Sequence, residues 1–103
     1  MGKRVIWMPR ATADLQEIHD YIARDSRHMA RIVAERALKA VRRLSDFPLS
    51  GRIVPEFERE DVRELFVHSY RVIYRVRPDR VSILHIHHGA RPLRGFTADE
   101  ETA

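Results

Sequence analysis

Cysteine is missing from this chain of 103 residues, and with it go disulfides, thiolate metal sites and a cysteine nucleophile. The absence suits a reducing compartment. Lysine is almost missing too: only Lys3 and Lys39 stand among 19 basic residues, and the rest are arginine. No apolar run is long enough to cross a bilayer. The basic start through Arg4 leads into only residues 5–8 before Pro9, too short for the apolar region of a signal peptide. The expectation is a cytoplasmic protein with no membrane role. No repeat, low-complexity tract or linker divides the sequence, and the length suits one compact domain. We expect that domain over residues 1–95, followed by a short acidic tail, 96–103.

What is present is basic. The net charge is +4 and the pI about 10.1, unevenly distributed: residues 1–52 and 62–95 are net positive, 53–61 and 96–103 net negative. Arginine carries a planar fork that matches carboxylates and phosphates, so an anionic partner is one reading of this excess. A solvated surface in a protein from a GC-rich genome accounts for it equally well.

Periodicity divides the chain into two halves. Residues 5–8 form a short apolar run closed by Pro9, which suits a strand followed by a first helical turn. Over 11–24, Ala11, Leu15, Ile18 and Ile22 fall on one helical stripe with acidic residues opposite. Ser26 is placed to cap a second helix over 27–46, whose buried stripe is Ala30, Val33, Ala37, Val41 and Leu44. Phe47-Pro48 ends it. After a turn and a loop or irregular edge at 52–61 come strand candidates at 62–67, 70–76 and 81–87, the last two joined by a tight turn at Pro78-Asp79. The predicted fold is α+β, in the order β-α-α-β-β-β, with an antiparallel sheet packed against an N-terminal helix hairpin.

Three groups of residues could carry chemistry. His85 and His87 alternate along a strand and so share a face, with His88 on the other. A metal site would need a third ligand, and no carboxylate stands near them in sequence, so the pattern favours satisfied or surface histidines, with no metal and no cofactor. Arg71, Arg75 and Arg77 fall on one strand face, with Arg91 just beyond the last strand, and such a row can hold phosphates or a partner's carboxylates. Apolar Ile73 within that face indicates that something covers it. The acidic stretches 56–61 and 99–101 read as a solubilising loop and tail.

Beyond these local readings, the ordered set of motifs resembles the RelE/ParE superfamily of toxins. It comprises Val5-Ile6-Trp7-Met8-Pro9-Arg10-Ala11, Asp14-Leu15-Gln16-Glu17-Ile18, Tyr21-Ile22-Ala23, Leu44-Ser45-Asp46-Phe47-Pro48 and Gly51-Arg52. It continues with Val62-Arg63-Glu64-Leu65, Ser69-Tyr70-Arg71-Val72-Ile73-Tyr74-Arg75-Val76 and His88-Gly89-Ala90-Arg91-Pro92-Leu93. The resemblance implies a toxin of a type II toxin–antitoxin module, closer to ParE. Its partner would be an acidic ParD-like antitoxin, in a hetero-oligomer that meets operator DNA only through that antitoxin.

Two activities occur in the superfamily. RelE-like members cut messenger RNA on the ribosome; ParE-like members poison DNA gyrase without nuclease chemistry. Here Arg71 and Arg91 match the two arginines of the nuclease pattern, and His87 or His88 could supply its acid. Val62 and Glu64, however, stand where lysines are expected, and Phe96-Thr97 where a tyrosine is. The ending Gly-Ala-Arg-Pro-Leu is similar to ParE-like members, which implies gyrase as target and no catalytic residues, with plasmid stabilisation as the biological setting. The alternatives are a ribosome-dependent nuclease using Arg71, His87, His88 and Arg91, and a non-toxic partner of a DNA-binding antitoxin. The antitoxin contacts expected are Arg71, Arg75, Leu15 and Ile22, and the target contacts Arg91 and Arg94.

Overall fold

The computed structural model describes residues 2–98. Strand β1 (Arg4–Trp7) leads through Met8 into helix α1 (Pro9–Ala23), and helix α2 (Arg27–Arg42) continues into a 3-10 turn, Arg43–Ser45. Strands β2 (Arg52–Ile53), β3 (Val62–Val67), β4 (Tyr70–Val76) and β5 (Arg80–His88) complete a five-stranded sheet in the order β1-β5-β4-β3-β2. The expected α+β architecture is present. Pro9 opens α1, where its missing N–H costs nothing. The Ser26 hydroxyl accepts from the Met29 amide at 3.1 Å, closing the first turn of α2.

Two features differ from the sequence reading. The sheet is mixed rather than antiparallel, because β1 runs parallel to β5, pairing Arg4 with Arg80 and Trp7 with Ile83. These two strands are joined by most of the chain, so no tight hairpin forces them antiparallel. In addition, the stretch expected to be irregular contributes β2, whose two residues pair antiparallel with Arg63 and Glu64.

The sheet has a core on each face. Towards the helices, Val72, Tyr74, Val81, Ile83 and Ile86 pack with Ala11, Ala37, Val41 and Leu44. The far face carries a smaller core of Val62, Ile73 and Leu84, closed by Val54 from the loop after β2 and by Phe96 and Ala98 from the last described segment. The cover that Ile73 implied is therefore the chain itself. Phe96 and Ala98, placed by sequence in an acidic tail, are buried; the acidic residues 99–101 lie outside the described residues.

The turn before β2 is tied to the sheet by one phenol. The Tyr74 hydroxyl accepts from the Gly51 amide and donates to the Pro48 carbonyl, each at 2.9 Å. Glycine is required at position 51, where a Cβ would lie 2.5 Å from both the Glu64 carbonyl oxygen and the Tyr74 hydroxyl.

Candidate functional site

Strand β5 is nine residues long and β1 only four. Their pairing ends at Trp7 and Ile83, because Pro9 turns the chain into α1. Among the described residues, the outer half of β5 therefore has no strand beside it on that edge. An open cleft of about 840 Å³ lies there, between α1 on one side and the end of β5 with Tyr70 and Arg91 on the other. An unpaired strand edge leaves amides to satisfy. Asp14, from α1, reaches over it, and its Oδ2 accepts from the Ile86 amide at 3.0 Å and from His85 Nδ1 at 2.6 Å.

A bulge decides which histidines reach this carboxylate. The β4–β5 register pairs Ile73 with His85 but Tyr74 with Ile83, leaving Leu84 as the extra residue. Alternation is thereby reset. Leu84 and His85 both lie on the far face of the sheet, followed by His87, while Ile86 returns to the helix-side core. His85 is nearly buried, stacked on Phe96 with centroids 5.0 Å apart and 28° between planes, and the Arg10 guanidinium lies over the same phenyl ring at 5.1 Å. His85 Nε2 is 3.3 Å from His87 Nδ1, and His87 Nε2 is 2.9 Å from the Arg91 carbonyl oxygen. His88 stands apart: its Nδ1 accepts from the Ala90 amide at 3.2 Å, and its ring meets Tyr70 edge-on at 5.5 Å. Sequence reasoning paired the correct two histidines and missed Asp14, which is 71 positions away from His85. Its place among the polar residues of α1 gave no signal. Among the described residues no group of three or more histidine, aspartate or glutamate side chains is arranged to hold a metal ion.

Two members of the arginine row, Arg71 and Arg75, are engaged internally. The Arg71 side chain is 7% exposed; its Nε donates to Glu64 Oε1 at 2.5 Å, and its two terminal nitrogens donate to the two oxygens of Glu56 at 2.9 and 2.8 Å. Glu64, fully buried, also accepts from Arg52 Nε at 2.7 Å. Arg75 Nε donates to Asp61 Oδ2 at 3.0 Å, and Arg59 donates to both oxygens of the same carboxylate. The hydrogen bonds from Arg71 hold the Glu56 carboxyl down at about 2, and those from Arg59 and then Arg75 lower that of Asp61. The acidic stretch read as a solubilising loop thus supplies counter-ions to the arginines read as partner contacts. Leu15 packs against the helix-side core and Ile22 is half-buried; Arg91 and Arg94 are exposed. His87, His88 and Arg91 do come together in the cleft. Arg71 lies directly across the strand pair from His87, but its guanidinium is committed to the two glutamates.

The model of the family described as the ParE toxin of the type II toxin–antitoxin system, parDE, matches residues 5–93. The chain belongs to the ParE toxin family. Among curated proteins it is similar to Toxin RelE2 of Caulobacter vibrioides, with 38% identity over 88 residues, covering 85% of this chain and 97% of that protein. Among solved structures it is similar to a chain of the chromosomal ParDE TA system from P. aeruginosa. There the TM-score is 0.69 and the identity 25%, over 84% of this chain and 95% of that one. The protein is accordingly a ParE/RelE-type toxin of a type II toxin–antitoxin system.

Proposed function

We propose that this toxin poisons DNA gyrase, holding the gyrase–DNA cleavage complex so that strand breaks persist, and that an acidic antitoxin neutralises it in the cytoplasm. The observation that carries the choice of target is the state of Arg71. Cleaving RNA at the 2′-hydroxyl requires a cation free to meet the phosphate as negative charge develops on it. Arg71 is the arginine of the nuclease pattern inside the sheet, and its guanidinium donates to Glu56 and Glu64. Val62 on the preceding strand is buried and Glu64 is a carboxylate, so neither position offers a substitute.

The antitoxin contact follows from the same chemistry. Arg71 and Arg75 already hold carboxylates, which an acidic antitoxin segment would have to displace, whereas α1 presents Ile18 and exposed Tyr21 to the open cleft, with half-buried Ile22 next to Tyr21 in the helix. We place the antitoxin across α1 and the cleft, and the target contacts at exposed Arg91 and Arg94. The second reading, cleavage of messenger RNA on the ribosome, is favoured by the similarity to a protein named Toxin RelE2 and by His87, His88 and Arg91 in one cleft.

One experiment separates them. Purified toxin is incubated with gyrase, ATP and supercoiled plasmid, then treated with detergent and protease. Linear plasmid should accumulate with toxin and be suppressed by the cognate antitoxin. Codon-phased cuts in ribosome-bound message, with no linear plasmid, would transfer the assignment to the nuclease reading.

A further inference from the structure

We infer that Asp14, His85 and His87 form a positioning string that pins the chain from Arg91 onward through one proton shared between two imidazoles. Both ends of the string are acceptors: the Asp14 carboxylate at 2.6 Å from His85 Nδ1, and the Arg91 carbonyl at 2.9 Å from His87 Nε2. Each outer nitrogen must therefore carry a hydrogen. The inner contact, His85 Nε2 to His87 Nδ1 at 3.3 Å, needs a third. Two neutral imidazoles carry two hydrogens, so three hydrogen bonds require one extra proton, held between the rings with the Asp14 carboxylate as its counter-charge. Without that proton two lone pairs face each other at the inner contact, or one ring changes tautomer and gives up its outer link, His85 to the Asp14 carboxylate or His87 to the Arg91 carbonyl. In either case the string breaks at one link.

The surroundings hold the rings at this spacing. From α1 come Asp14, Glu17 at the cleft wall and Arg10 over Phe96; from β4, Tyr70 and Arg71, the latter opposite His87; from β5 and beyond, His88 and the Arg91 side chain. Arg71 is neutralised by its two glutamates, and His88 has its Nδ1 lone pair engaged by the Ala90 amide, so Asp14 is the bonded counter-ion of the pair. The string's far end fixes the turn that carries Arg91, and Phe96 stacked on His85 fixes the segment after it. Under the gyrase reading, on which only the functional consequence rests, Asp14, His85 and His87 thereby position Arg91 and Arg94 for the target.

The test is protein NMR on the purified full chain, titrated from about pH 5 to about pH 9, the range in which imidazoles change charge. The imidazole nitrogens of His85 and His87 should titrate as one coupled pair. Amide protection over 90–98, corrected for intrinsic exchange, should fall about tenfold as the pair loses its proton, as expected for one lost hydrogen bond. His87→Gln keeps a donor for the Arg91 carbonyl but has nothing to titrate, so protection in this variant should not follow pH. His87→Phe should show the low protection at every pH. Exposed His28→Gln serves as control and should behave as the parent. Independent titration of the two rings, or protection over 90–98 that follows pH equally in the parent and in His87→Gln, would overturn the inference. The gyrase assay is then run on the same variants. Loss of plasmid linearisation in His87→Phe with retention in His87→Gln supports the positioning role; equal linearisation by both overturns it. A parent that never linearises plasmid refutes the gyrase reading, while the NMR titration still decides whether the string exists.

Discussion

Glu64 is the residue on which the far face of the sheet turns. It is fully buried between Arg71 and Arg52, and a buried charge is tolerated only with its partners in place. Arg71→Met should lower the unfolding free energy by about 3 kcal/mol, because it strips Glu64 and Glu56 of their shared cation. Adding Glu64→Met should recover much of that loss, and chemical denaturation of the single and double variants measures the coupling. Glu56 makes a related contribution that depends on acid. Arg71 holds its carboxyl at about 2, against 4.5 for an unpaired glutamate. The stabilisation is therefore complete above pH 4.5 and is lost as the pH falls from there towards 2. With the Glu56 side chain 39% exposed, solvent screening reduces it to about 1 kcal/mol. Glu56→Gln should flatten the fall of stability across that window, as read by denaturation at stepped pH.

At the scale of elements, the helices and long strands were legible because each repeats its apolar spacing over several residues. The caps were legible as well: Pro9 and Ser26 do what their positions imply. Strand β2 was not legible, since two residues carry no period. Nor was the bulge at Leu84, because a run such as Val81-Ser82-Ile83-Leu84 reads as unbroken alternation followed by a buried residue. The ion pairs of Arg71 and Arg75 and the Asp14–His85 contact join distant positions, and without a pattern linking them they appear only once the sheet is assembled. Periodicity supplied the order of elements and the resemblance to the superfamily the toxin role, while the state of Arg71 emerges only in the folded sheet. Tyr74 illustrates the same limit: it reads as an inward strand residue, yet its hydroxyl anchors the turn of Pro48 and Gly51. Tyr74→Phe removes both bonds and leaves the buried Gly51 amide without its acceptor, so it should cost about 1–3 kcal/mol. Ser26→Ala, which removes one exposed cap, should cost about 1 kcal/mol. Thermal unfolding of the two variants should rank them in that order.

The whole molecule carries a net charge of +4, and this excess should govern how quickly an acidic antitoxin finds it. Opposite charges steer encounter and are screened by salt, so the association rate should fall steeply between about 50 and 500 mM salt while the dissociation rate changes little. Stopped-flow mixing reads both constants, and a salt-independent association rate would remove steering from the account. The parallel pairing of β1 with β5 has a consequence in time as well as in space. Arg4–Trp7 are made long before their strand partner, Arg80–Ile83, so the earlier strand waits unpaired while both helices and the other strands are synthesised. A chain built this way cannot close its sheet until β5 has left the ribosome, so the two cores form together and late.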